Sequence, residues 1–150
     1  MKITMILNGN PKTFDVACGE MLLDTLRNHG LLSVRRGCES TSCGICTVLL
    51  DGKPVPSCSV LSVRADGRTV TTVEGIPEEA EKLSHHFGEE GADQCGFCNP
   101  SLALAVYALK QTNPKATPQE IETWLVGNLC RCSGYQSQHA AIQAYLKEKS

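Results

Sequence analysis

The rhythm of apolar and polar positions changes halfway along the chain. Ile3 to Leu7 and Thr13 to Ala17 are short runs of strand-favouring residues around the turn cluster Asn8-Gly9-Asn10-Pro11, which predicts an antiparallel hairpin. Met21, Leu22 and Leu26 fall at helical spacing within Met21 to His29, and Gly30 supplies a stop. Thr47 to Leu50, the Asp51-Gly52 turn and the stretch around Val55 predict a second hairpin. Thr69 to Val73 is a last β-rich run before Glu74-Gly75. Strands wrapped around one helix, with an irregular loop inserted, make a compact α+β unit ending near residue 75.

After Ile76-Pro77 the strand periodicity disappears. Helices are predicted over Glu78 to Phe87 and over Ser101 to Gln111, the latter with an Ala-rich apolar face. Thr117-Pro118-Gln119-Glu120 places an N-cap threonine, a proline in the first turn and a capping-box glutamate in order, so a third helix should run to Val126 and stop at Gly127. A fourth is expected from Gln138 to Glu148, which completes a small bundle. The expected division is therefore 1–75 and 76–150. Halves this small bury too little surface to be comfortable alone, and bound metal can supply the missing stabilisation.

Charge adds little. Fourteen Lys and Arg against sixteen Asp and Glu give a net charge of −2, too small and too evenly spread to point to nucleic acid or an anionic membrane. No apolar run approaches the roughly 20 residues needed to cross a bilayer.

Cysteine changes the picture. Of nine, eight form two quartets, Cys38, Cys43, Cys46 and Cys58, then Cys95, Cys98, Cys130 and Cys132, leaving Cys18. Four thiolates at one point repel one another unless a cation or cationic cluster neutralises them. The first quartet reads C-x4-C-x2-C with a distant fourth cysteine, the plant-type spacing for a 2Fe-2S cluster. Two rivals stand beside that reading. A disulfide framework suits a secreted chain, but the start Met1-Lys2-Ile3-Thr4-Met5 lacks the signature of a signal peptide, so reducing cytoplasm is the expected compartment. Structural zinc usually takes two C-x(2 to 4)-C knuckles, whereas here three cysteines share one loop in the first quartet and a C-x-C pair closes the second. Iron-sulfur ligation accounts for both groups, with backbone N–H groups aimed at the sulfurs and with Gly37 and Gly44 allowing close approach. In the second quartet each pair of cysteines precedes a predicted helix, where free N–H groups and the helix dipole favour an anionic cluster.

The motifs Gly37-Cys38 through Cys43-Gly44-Ile45-Cys46-Thr47-Val48-Leu49-Leu50-Asp51-Gly52, Ser57-Cys58, Gln94-Cys95-Gly96-Phe97-Cys98 and Gly127-Asn128-Leu129-Cys130-Arg131-Cys132-Ser133-Gly134-Tyr135 resemble the small iron-sulfur subunit of molybdenum hydroxylases of the xanthine oxidase type. The resemblance covers nearly the whole chain, and Leu31-Leu32-Ser33-Val34-Arg35-Arg36 adds a likeness to bacterial xanthine dehydrogenase small subunits. It implies a β-grasp, plant-type ferredoxin-like domain followed by a four-helix bundle domain, each with one 2Fe-2S cluster. It also implies two partners, a large catalytic subunit holding a molybdopterin-type cofactor and a medium subunit holding FAD, with electrons relayed from molybdenum through both clusters to the flavin. By resemblance Cys132 lies against the pterin and Gln94 hydrogen-bonds it, and the chain itself carries no catalytic residue. Aldehyde, nicotinate, isoquinoline and carbon monoxide enzymes use similar subunits, and a free-standing two-cluster carrier is a further alternative.

The chain departs from the family pattern at Asn99-Pro100-Ser101, where Thr-Pro-Gly is usual, at Ser133, where threonine is common, and at Gln138, where an aliphatic residue is common. Asn99 is expected to act as an N-cap. Cys18 is expected as a semi-buried small hydrophobe and Trp124 as core. Phe97 and Tyr135 are expected to pack around the clusters, and the four histidines to stay out of the ligand sets.

Overall fold

The computed structural model describes residues 1–148. Strands β1 (Lys2–Leu7) and β2 (Asn10–Asp15) form the first hairpin, with Leu7 opposite Asn10. Only Asn8 and Gly9 make its turn, both at positive φ, so Asn10 and Pro11 belong to the strand rather than to the turn. Helix α1 (Leu22–Asn28) follows, and Gly30 continues the chain at φ +87°. A long irregular segment leads to β3 (Thr47–Leu50), which turns at Asp51-Gly52 into β4 (Lys53–Pro56). The last strand, β5 (Thr69–Thr71), is shorter than the sequence run because the chain enters a tight helical turn at Val73–Gly75.

The five strands make one mixed sheet in the order β2-β1-β5-β3-β4. β5 is parallel to β1 and antiparallel to β3, so the final strand is threaded between the two hairpins. Leu22, Leu23 and Leu26 of α1 pack against Ile3, Met5, Val48, Leu50 and Val70 of the sheet. This is the β-grasp arrangement, and the sheet with its single helix is the α+β half anticipated from sequence.

Four helices follow: α2 (Pro77–Glu89), α3 (Asn99–Thr112), α4 (Pro118–Leu125) and α5 (Gln136–Lys147). Their core joins Leu83 and Phe87 to Leu102, Val106, Ile121, Ile142 and Tyr145. The capping box at α4 forms as predicted, with Thr117 Oγ1 accepting the Glu120 N–H. At α3 the expectation shifts by one residue: Cys98 is the N-cap and Asn99 the first helical residue. Asn99 instead donates its amide to Asp93 Oδ1 at 2.9 Å. Trp124 is also not core, being 36% exposed with its indole N–H on the Ala105 carbonyl at 2.8 Å.

All four residues of β3 are buried, although strands normally alternate. Val48 and Leu50 enter the sheet core, whereas Leu49 packs with Ile76, Leu104 and Ala108 against α3. The second half of the chain thus covers the outer face of this strand.

A polar brace holds the helical half at its far end. Glu79 accepts hydrogen bonds from Lys82, Lys110 and the buried Tyr145 hydroxyl, and Lys110 lies 4.0 Å above the Tyr145 ring. The Lys82 and Tyr145 bonds outweigh desolvation and lower the Glu79 carboxyl from 4.5 to about 2. A depressed carboxyl stabilises the fold fully above its unfolded value and loses that contribution as pH falls through the folded one. Glu79→Gln should therefore be less stable than the wild type at neutral pH in denaturant unfolding followed by helix signal. The difference should close between about pH 4.5 and 2; a difference constant with pH would refute the brace.

Candidate metal centres

The segment between α1 and β3 wraps the first three cysteines. Gly37 is required by packing, since a Cβ there would meet Ile45 Cγ1 at 2.7 Å and Cys43 Sγ at 3.1 Å. Thr41 and Gly44 both adopt positive φ, which turns backbone N–H groups inward. Those of Cys43, Ser40 and Ser42 reach the Cys38 sulfur, and that of Ile45 lies 3.5 Å from the Cys43 sulfur. Cys58 comes from the turn after β4 and meets Cys46.

The second quartet is assembled from two helix starts. Cys98 caps α3, with Cys95 one turn before it. Cys130 and Cys132 lie in the loop that enters α5 through Tyr135 at φ +69°. Tyr135 fixes this loop, its hydroxyl accepting the Cys130 N–H at 3.1 Å and its own N–H donating to Ser133 Oγ. The Ser133 hydroxyl and backbone N–H approach the Cys130 sulfur at 3.3 and 3.5 Å. The buried Gln138, in the first turn of α5, directs its amide at the Cys98 sulfur at 3.6 Å.

Within each quartet the sulfurs meet in twos: Cys38 with Cys43, Cys46 with Cys58, Cys95 with Cys132 at 3.5 Å, and Cys98 with Cys130. Among the described residues, no three His, Cys, Asp or Glu side chains gather as they would around a single ion. Two pairs side by side suit a binuclear core, which takes two thiolates on each iron.

The titration pattern follows the pairing. Its hydrogen bond from Cys43 and the surrounding N–H groups lower Cys38 to about 6, while burial raises Cys43. Burial pushes Cys58 up to about 12 and Cys98 up to about 11. Cys130 falls to about 7, because the Ser133 hydroxyl and N–H overcome burial. The Phe97 N–H and the Cys132 thiol lower Cys95, and that same contact raises Cys132. In three of the four pairs one thiol is lowered and its neighbour raised, so a bound cation is needed to hold both as thiolates.

The two quartets stand against each other. Cys43, Ile45 and Cys98 form one buried cluster, with Cys38 and Cys130 packed on it. The Leu129 N–H donates to the Cys43 carbonyl at 2.9 Å, and Asn128 Nδ2 reaches the Gly44 carbonyl at 3.4 Å. Arg35 crosses in the same place, donating to the Gly96 carbonyl at 2.6 Å and lying 5.2 Å over the Phe97 ring. Arg36 pairs with Asp24 and Glu39 on the surface instead.

The outer pair, Cys95 and Cys132, is exposed, and so are Gln94 and Phe97 beside it. Gln94 donates its amide to the Gly91 carbonyl at 2.9 Å. Phe97, at 44% exposure, does not shield a cluster as the sequence suggested. Cys18 is likewise exposed rather than semi-buried. Sequence reasoning missed the Tyr135 hydroxyl and the Gln138 amide; the departure at position 138 was the available signal.

Two family patterns match the chain end to end: a 2Fe-2S iron-sulfur cluster binding domain over residues 5–72 and a 2Fe-2S binding domain over residues 72–143. The protein is thus of the two-module 2Fe-2S class. The nicotinate dehydrogenase small FeS subunit of Eubacterium barkeri is 42% identical over 144 residues, 94% of this chain and 92% of that one. The xanthine dehydrogenase iron-sulfur-binding subunit of Escherichia coli O157:H7 is 43% identical over 139 residues, 89% and 87% of the respective chains. Quinoline 2-oxidoreductase from Pseudomonas putida 86 superposes with a TM-score of 0.91 at 37% identity, covering 98% of this chain and 94% of that one. The chain belongs to the family of small iron-sulfur subunits of xanthine dehydrogenase-type molybdenum hydroxylases.

At Gly44, φ is +68° and a Cβ would collide with the Gly127 carbonyl oxygen. At Gly67, φ is +70° with nothing within 4 Å, so alanine there meets only the backbone cost, about 1–3 kcal/mol. Gly44→Ala should lower the thermal midpoint more than Gly67→Ala and should also lower iron content. Equal losses would show that the two ligand loops do not depend on close contact.

Proposed function

We propose that this chain is the electron-transfer subunit of a multi-subunit molybdenum hydroxylase. It would relay electrons from a molybdopterin site on a large catalytic partner, through two 2Fe-2S clusters, to FAD on a medium partner. Residues 1–75 form the ferredoxin-like module in this reading and 76–150 the helical one; Lys149 and Ser150 lie outside the described residues. Cys38, Cys43, Cys46 and Cys58 hold one cluster, and Cys95, Cys98, Cys130 and Cys132 the other. Each bound cluster supplies a one-electron carrier, so that a two-electron oxidation can be passed on singly.

The observation that carries the reading is the asymmetry of the second quartet. Its inner pair, Cys98 and Cys130, packs toward Cys43 of the first quartet, whereas its outer pair, Cys95 and Cys132, is exposed. An electron arriving from a partner would enter at Cys132 and leave toward Cys43. Gln94, exposed beside Cys95, is available to a pterin on that partner, as the family resemblance suggests. No helix among the described residues is long and apolar enough to cross a membrane, and two cysteine quartets spaced for metal fit a reducing, cytoplasmic setting.

Relatives named for nicotinate, xanthine and nicotine match this chain at 38 to 43% identity, so the likeness to xanthine dehydrogenase subunits singles out no substrate. The choice of substrate belongs to the catalytic partner. A free-standing two-cluster carrier is the second reading, and the relatives named as small or iron-sulfur-binding subunits of dehydrogenases and hydroxylases weigh against it.

Two variants test the order of the relay in the assembled complex. Cys132→Ala should remove the spin signal of the helical-module cluster and leave that of the ferredoxin-like cluster. Cys43→Ala should stop delivery to the flavin while substrate still reduces molybdenum at the wild-type rate. Two unchanged spin signals in the first variant, or normal flavin turnover in the second, would contradict the assignment.

A further inference from the structure

The side-chain hydrogen bonds that reach the second quartet from outside it fall on its inner pair. Cys130 receives the Ser133 hydroxyl and N–H, and Cys98 receives the Gln138 amide at 3.6 Å. Gln138 is 3% exposed in the first turn of α5, and a buried amide is costly unless it finds a partner. The Cys98 carbonyl is already taken by the Leu102 N–H and the Ser101 hydroxyl, which leaves the sulfur as the partner on that residue. As a thiol, Cys98 also faces Asn99 Oδ1 at 3.8 Å, but a thiolate cannot donate, so ligation would dissolve that contact. What remains at the sulfur is the Gln138 N–H, held by the helix, beside the backbone N–H of Cys98 itself.

Resting on the reading that Cys95, Cys98, Cys130 and Cys132 hold a 2Fe-2S cluster, we propose that Gln138 is a positioning residue that raises the reduction potential of that cluster. Reduction adds one electron and no proton, and the amide hydrogen stays on its nitrogen. The added negative charge is shared with the ligating sulfurs, so an N–H donor binds the reduced form more strongly than the oxidised one. The direction follows from that difference. The helical-module cluster becomes the better electron acceptor, suited to draw electrons from an upstream donor. Position 138 is therefore a place where this chain sets the driving force of its first step without altering a ligand.

The test uses the full chain carrying both clusters, titrated with dithionite while each reduced spin signal is followed against potential, with iron measured per chain. Gln138→Leu and Gln138→Met both remove the donor at similar volume. Each should shift the helical-module signal to lower potential by about tenfold in the reduction equilibrium, ~59 mV for one electron. The other cluster should not move, and iron content should stay at the wild-type value. An unchanged potential with full iron would overturn the role of Gln138 and leave the cluster reading intact. Loss of that cluster in both variants would overturn it in favour of a purely structural amide. Absence of iron from the wild type would instead overturn the cluster reading itself.

Discussion

The hydrogen bond from the Leu129 N–H to the Cys43 carbonyl joins the two ligand loops, and the rest of the architecture serves it. Leu129 precedes Cys130, and Cys43 belongs to the other quartet, so one backbone contact fixes the spacing of the two sites. The contact is possible because residue 44 is a glycine: a Cβ there would lie 2.0 Å from the Gly127 carbonyl oxygen. Leu49, turned outward from β3 onto Leu104 and Ala108, holds the two halves together beneath it. Arg35, bound to the Gly96 carbonyl, closes the other side.

Electrostatics explains why sites of this kind need such support. Four sulfurs brought together cannot all ionise without a cation, and within the touching pairs hydrogen bonds favour one thiolate, at Cys38 and Cys130, while burial opposes its neighbour, at Cys43 and Cys98. Backbone N–H groups in the first loop, helix starts in the second, and the Ser133 and Gln138 side chains provide fixed partial positive charge where the thiolates must sit. The side-chain donors favour the inner pair of the second quartet, and the outer pair, with the Phe97 N–H on Cys95, lies at the surface. The same arrangement that makes a cluster tolerable also gives the chain a direction, with an exposed side at Cys132 and a buried side facing Cys43.

Much of this was legible in the sequence because local rules dominate locally determined features. The two hairpin turns, α1 and the capping box of α4 follow from φ preferences and side-chain caps that need no tertiary information. The eight cysteines stood out by spacing and the α+β and helical halves by the change in periodicity, while the β-grasp arrangement was implied by the family resemblance. What the sequence left open depends on tertiary packing. The burial of both faces of β3 follows from how the halves meet, while the Asn99 bond to Asp93 and the Trp124 bond to Ala105 are set by packing within the helical half. The pairing of sulfurs is of the same kind: Cys95 meets Cys132 and Cys98 meets Cys130 because two helix starts face each other, which spacing alone does not dictate. The departure at Gln138 was visible as a difference but had no meaning until the amide was seen against a sulfur.

With each quartet loaded, two binuclear iron centres would sit back to back, joined through Cys43, Ile45 and Cys98. Electron paramagnetic resonance of the fully reduced chain measures this directly, since two neighbouring spins broaden and relax one another. The account predicts two signals whose relaxation is enhanced relative to a partly reduced sample in which one centre is diamagnetic. Two signals that relax independently, or a single centre per chain, would contradict it.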